Sequence, residues 1–240
     1  LKNSANEIYS STLLTIEPAF LTILQLFPKY LLYNKNMKKI ILCLIGLVFL
    51  VSACEQEKII IDSDTRADTS ISIVGTDKTY GDQIHIKNPS YDFYIDVEGM
   101  NPWKIQFCNI DGGQEEVAIG VYKESPHHKV MAKRVFLYNI DYERQRLSPK
   151  IRISRLSNPL EDFIMADLDQ EGRDSIISLE RLKDGSSQLA AYKWTNFSFD
   201  RSYSSQSFQA ELIFLDKEAL IKIDEQEAQL YVEGGKILWQ

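Results

Sequence analysis

The chain has 240 residues, 44% of them hydrophobic, and a formal net charge of −7. That is enough apolar content for a packed core and the wrong sign for a nucleic-acid binder, whose phosphate contacts need a basic face. Residues 1–53 hold five lysines and two glutamates, so the remaining 187 or so residues sit near −10, which also excludes a polybasic membrane patch.

Residues 1–36 contain an apolar run, Leu13–Phe27, interrupted by Glu17 and Pro18. They do not fit the signal-like segment that begins at Met37, and the expectation is that they precede the true start there. Met37–Cys54 reads MKKIILCLIGLVFLVSAC. Lys38 and Lys39 form a basic start, and Ile40–Val51 is an apolar run too short to span a bilayer, which takes about 20 residues. Small residues then lead to a cysteine, the grammar of a secretory signal. Val51-Ser52-Ala53-Cys54 resembles a bacterial lipobox. The resemblance implies cleavage before Cys54, lipidation of Cys54 and a bacterial lipoprotein held to the cell envelope outside the cytoplasm. No aspartate comes directly after Cys54, so an outer membrane, where one exists, is the expected location. The expected layout is signal peptide 37–53, polar tether 54–70 and folded domain 71–240.

Cys43 leaves with the signal, and Cys54 takes the lipid. Cys108 is then the sole thiol of the mature chain and, inside the apolar IQFCNI, reads as core. His127 and His128 lie in a loop with no third ligand beside them, so they read as surface residues.

From residue 71 onward, short β-branched or alternating runs are separated by Gly, Asn, Asp and Ser. They predict strands over Ile71–Gly75, Gln83–Ile86, Tyr91–Val97, Trp103–Cys108, Val117–Tyr122, Val135–Tyr138 and Ile151–Ser154. The series continues over Phe163–Ala166, Ser175–Glu180, Gln188–Trp194, Glu211–Leu215, Ala219–Ile223, Gln229–Val232 and Lys236–Trp239. Glu218–Leu230 is the one helix candidate. Its LIKID alternation and the Gly234-Gly235 turn after it favour strands. The fold class is therefore all-β.

An internal repeat organises these strands. Trp103–Lys123 aligns with Asp162–Lys183, placing Asn109 on Asp167, Asp111 on Asp169 and Val117 on Ile176. Further along the chain, Tyr138 falls on Tyr192. Each copy reads strand, acidic turn, strand, loop, strand. A period near 55 with three or four strands per unit points to propeller blades.

The segment FIMADLDQEGRDSIISLE (Phe163–Glu180) resembles the blade motif of FG-GAP/VCBS-type repeats, and YKWTNFSF resembles the outer-strand end of such blades. The resemblance covers Pro102–Phe199. It implies a small or partial β-propeller-like domain, with its clearest blades at about 102–148 and 160–202 and a degraded or half blade on each flank. It also implies a structural Ca²⁺ in the acidic turn. Asp167, Asp169 and Glu171 place oxygens at positions 1, 3 and 5 with Gly172 at 6, as a calcium loop requires. Asp174 stands beside Ser175, which occupies the position where the family has its closing aspartate. The first copy keeps Asn109 and Asp111 and lacks the fifth position.

The motifs of nucleophile elbows, zincins, P-loops and dinucleotide folds are absent from the sequence. Trp103, Trp194 and Trp239 sit at strand positions and read as packing residues. The expected function is non-catalytic binding of a protein or glycan partner. The rival is a polysaccharide-active enzyme or its accessory domain.

Overall fold

The computed structural model describes residues 57–113 and 115–240; Cys54, the signal segment and the upstream residues lie outside the described residues. The described chain is all-β, with no helix among its residues. Sixteen strands form four consecutive antiparallel meanders of four strands each.

Meander 1 holds β1 (Ile59–Arg66), β2 (Thr69–Gly75), β3 (Gln83–Lys87) and β4 (Asp92–Asp96). Meander 2 holds β5 (Pro102–Cys108), β6 (Glu116–Ser125), β7 (His128–Asp141) and β8 (Arg146–Arg152). Meander 3 holds β9 (Leu160–Ala166), β10 (Ser175–Arg181), β11 (Ser187–Thr195) and β12 (Ser198–Ser204). Meander 4 holds β13 (Ile213–Asp216), β14 (Leu220–Ile223), β15 (Gln226–Glu233) and β16 (Lys236–Trp239). A single parallel bridge, Ser204 to Lys236, joins meanders 3 and 4 into an eight-stranded sheet.

The aligned copies occupy equivalent places in meanders 2 and 3. Val117 pairs with Tyr138 as Ile176 pairs with Tyr192. The flanks are full four-stranded meanders rather than half units. Two strands were not expected from the sequence, β1 and β12. Residues 59–66, assigned to the tether, form β1 and pair with β2 from Ile59↔Gly75 to Arg66↔Thr69, so the folded domain begins by Ile59 rather than at 71. The Glu218–Leu230 segment forms strands, and Gly234 and Gly235 turn the last hairpin at φ 58° and 75°, a left-handed pair that favours glycine.

Successive meanders pack face to face, and the period of two in each strand decides which face meets which neighbour. In β6, Val117, Ile119 and Val121 point into a core shared with Ile71, Ile73, Ile84 and Ile86 of meander 1. Ala118, between them, points into the next core with Phe163, Met165 and Ile176 of meander 3. Ile164, Ile177 and Leu189 then meet Leu215, Ile221 and Ile237 of meander 4. Meanders 2 and 3 are buried on both faces, which is why their strands read as continuous apolar runs. Each fully buried Ile or Phe contributes about 1.5–3 kcal/mol of transfer free energy. Gly120 is packed tightly at this seam, for a Cβ there would lie 2.8 Å from both Phe163 of meander 3 and Trp103 of its own meander.

The first strands of the four meanders run in the same direction and are tied by side chains rather than by a ladder. Asp62 and Asp64 of β1 accept from the N–H groups of Ile105 (2.7 Å) and Phe107 (2.8 Å) in β5. Gln106 of β5 accepts from Met165 N–H (2.9 Å) and donates to Met165 C=O (2.8 Å) in β9. Asp162 of β9 accepts from Leu215 N–H (3.0 Å) in β13. Lys217, just after β13, closes the cycle on Asp62 at 2.9 Å. The common direction defines a start face, where β1, β5, β9 and β13 begin, and a turn face, where they end.

Gln106 stands in for a strand partner on both Met165 groups. Gln106→Met keeps the shape and orphans two backbone groups near the buried amide. We expect a stability loss of about 2–6 kcal/mol, at roughly 1–3 kcal/mol per unsatisfied buried group. Equilibrium urea unfolding measures it.

Candidate functional site

The turn face carries both acidic turns of the repeat. In meander 3, the turn between β9 and β10 is built on Asp167, whose carboxylate accepts from the N–H groups of Glu171 (3.0 Å) and Gly172 (2.7 Å). Gln170 and Gly172 hold positive φ of 59° and 81°, which tightens the loop. Asp169 is largely buried, and its charge is met by the ammonium of Lys193 in β11, which also lies 3.0 Å from Glu171. Burial works against the charge on Asp169, but Lys193 outweighs it and holds the carboxyl below its ordinary range. Burial likewise opposes the charge on Lys193, and Asp169 and Glu171 hold it well above an ordinary lysine.

Asp174 goes elsewhere. It accepts from Asn109 N–H (2.7 Å) across the seam between meanders 2 and 3, and Arg66 lies 3.9 Å away. Its burial pushes its carboxyl up. The four carboxylates expected to share a cation thus divide into three roles: Asp167 folds the loop, Asp169 and Glu171 pair with Lys193, and Asp174 bridges two meanders. Among the described residues, no group of three or more His, Cys, Asp or Glu side chains converges as a metal cage would. As placed, the residues do not fit a calcium ion, because an ammonium stands at the carboxylates.

The degenerate first copy uses the same device. Lys150 of β8 lies 2.5 Å from Asp111 and also pairs with the fully buried Glu116. Lys150 holds the Asp111 carboxyl low, and the second oxygen of Glu116 accepts from Ile110 N–H at 2.8 Å. Neither lysine stands out in the sequence. Lys193 directly follows the aligned Tyr192, but the other copy has Asn139 at that place, so the repeat gave no sign of it. Lys150 comes from a different strand of its meander, and no spacing rule would link it to Asp111.

Between the two turns lies a cleft lined by Asp111, Arg173, Trp194, Thr195, Asn196 and Phe197. Thr195 pairs with Ser198 across a two-residue turn, with Asn196 at φ 59°. That turn thrusts Phe197 into solvent, 90% exposed. Trp194 leans on Phe199 with ring centroids 5.3 Å apart, and the Lys150 ammonium sits 5.9 Å from the Trp194 ring. An aromatic tip beside a tryptophan, an arginine and an aspartate can grip an apolar or sugar face and orient it by hydrogen bonds. Sequence reading found Trp194 as a packing residue and missed Phe197, whose exposure is set by the hairpin turn.

The remaining singled-out residues have structural placements. Cys108 is fully buried, and burial pushes its thiol up. His128 lies beside Arg134, whose buried guanidinium donates to the carbonyls of Lys123 (2.7 Å), His128 (3.1 Å) and Val130 (2.7 Å) and so pins the β6–β7 hairpin. His85 stacks on Tyr94 with centroids 4.1 Å apart. Trp103 packs edge-on against Phe163.

The pKa directions fix the response to acid. The Asp111 and Asp169 carboxyls are held below the unfolded value of about 3.9. Their pairing therefore stabilises the fold above about pH 4 and is lost as pH falls through their folded values. Asp174 has the opposite sign, its raised folded pKa making its charge a cost at neutral pH. Lys193→Met leaves Asp169 uncompensated and should cost about 1–3 kcal/mol at pH 7, between the exposed and buried limits for an ion pair. Asp174→Asn keeps an acceptor for Asn109 and should be neutral or stabilising at pH 7. Thermal melts from pH 3 to 8 check both.

No protein-family model matches this chain, and no curated protein matches it at a significant level.

Proposed function

We propose that this chain is a membrane-anchored lipoprotein whose folded part is a small four-bladed β-propeller-like module that binds a protein or glycan partner outside the cytoplasm. Each four-stranded meander is one blade, and β1, β5, β9 and β13 are the innermost strands. The observation that carries the reading is the closed cycle of bonds through Asp62, Asp64, Gln106, Asp162 and Lys217. It commits the polar groups of the innermost strands to holding the blades together. The partner is then met on the turn face, at the cleft of Phe197, Trp194, Arg173 and Asp111. Interface anchors are typically exposed aromatics flanked by an arginine.

The anchor is Cys54, and the segment Met37–Cys54 supports it. Calcium belongs to a second reading, in which the Asp167–Asp174 turn takes the ion once Lys193 withdraws. The rival reading of a polysaccharide-active enzyme would need a second carboxylate near Asp111, the one acid that lines the cleft.

Cys54→Ala should abolish incorporation of labelled palmitate and leave the precursor uncut. Phe197→Ser should leave the urea midpoint within about 0.5 kcal/mol of wild type, as surface changes do. It should also weaken capture of the partner from intact cells, or retention on glycan arrays, at least tenfold. Unchanged capture would remove the cleft from the binding surface. Millimolar Ca²⁺ should raise the melting temperature of Lys193→Met more than that of the wild type, because the ammonium no longer competes for Asp169 and Glu171. Indifference of both proteins to Ca²⁺ and chelator would discard the metal.

A further inference from the structure

The large apolar side chains left in solvent are not spread evenly over the described domain. Seven are strongly exposed, and five of them, Ile60, Val130, Met131, Leu212 and Phe214, lie toward the start ends of their strands or hairpin. Ile60 and Phe214 are the second residues of β1 and β13, and Leu212 immediately precedes β13. Val130 and Met131 sit near the tip of the β6–β7 hairpin, which overshoots Pro102, the first residue of β5. The common direction of β1, β5, β9 and β13 puts all five at one end.

The same face receives the chain from the anchor cysteine. Five peptide steps separate Cys54 from Ile59, the first residue of β1. A fully extended chain covers at most about 3.3–3.6 Å per residue, so five steps reach no farther than about 18 Å. A domain on so short a leash cannot turn its start face far from the lipid.

We propose that the start face rests on the bilayer, with Ile60, Val130, Met131, Leu212 and Phe214 in contact with the lipid surface and the turn face presented outward. The inference rests on the reading of Cys54 as the anchor and adds an orientation to it. Contact is apolar rather than electrostatic, since the chain beyond residue 53 is strongly acidic. It is therefore indifferent to salt, unlike attraction by a basic patch. Its consequence is that the Phe197 cleft faces away from the membrane, open to soluble or neighbouring surface partners.

The test uses the full chain made in a lipidating host and reconstituted in phosphatidylcholine vesicles. Met131→Cys at the start face and Glu233→Cys at the turn face each receive an environment-sensitive fluorophore, Cys108 being buried and shielded from reagent. Vesicles carry a lipid with a nitroxide on its acyl chain near the headgroup. We expect several-fold stronger quenching at position 131 than at 233, unchanged between low and high salt and no greater in vesicles containing anionic lipid. Equal quenching at the two positions, or stronger quenching at 233, overturns the orientation. Energy transfer between labelled copies through position 131, without lipid quenching, also overturns it and assigns the face to a second copy. Palmitate incorporation at Cys54 is measured in the same preparation. Its absence refutes the anchor, and the orientation with it. Its presence with equal quenching refutes the orientation alone.

Discussion

The side-chain bonds among β1, β5, β9 and β13 are the constraint on which the rest of the fold depends. Each of these strands has a ladder partner on one edge only, and an unpaired edge inside a protein leaves backbone donors and acceptors unsatisfied. Asp62, Asp64, Gln106 and Asp162 supply the missing partners from the neighbouring meander. Carboxylates suit this role because one group can accept from backbone on one side and an ammonium on the other. Asp62 does so with Ile105 and Lys217, and Asp162 with Leu215 and Lys104. Charge is placed along these strands because the strands could not otherwise lie side by side.

The same logic governs the turns. An acidic loop in a negatively charged protein needs a counter-charge, and the chain supplies two, Lys150 and Lys193, from strands of the same meander. An ammonium on a flexible stem reaches a buried carboxylate without needing six to eight oxygens around it. Both meanders therefore have a cation of their own.

The two faces of the domain differ in chemistry. Loops at the turn face are tied by acid–base pairs and carry an aromatic tip at Phe197, whereas the start face carries exposed apolar side chains, Ile60 and Phe214 among them. Under the proposed anchoring at Cys54, the surface nearest the lipid would be lost to partners and the opposite surface would be the one they meet.

Sequence alone determined the strand class, because turn residues and β-branched runs recur at short intervals and each buried strand shows its apolar positions. It determined the repeat, since Asn109 and Asp167 or Tyr138 and Tyr192 stand at equivalent places in equivalent hairpins. It could not place β1. The run IIIDSDTR looks like a polar linker until Asp62 and Asp64 are seen accepting backbone bonds from a strand some 43 residues away. It could not pair Lys150 with Asp111, 39 residues apart, nor show that Asp167, Asp169 and Asp174 point to different partners. Local pattern reports which face of a strand is apolar. Whether an acidic side chain folds its own loop, meets a lysine or bridges two sheets depends on what the other meanders bring beside it, and only the tertiary structure decides that.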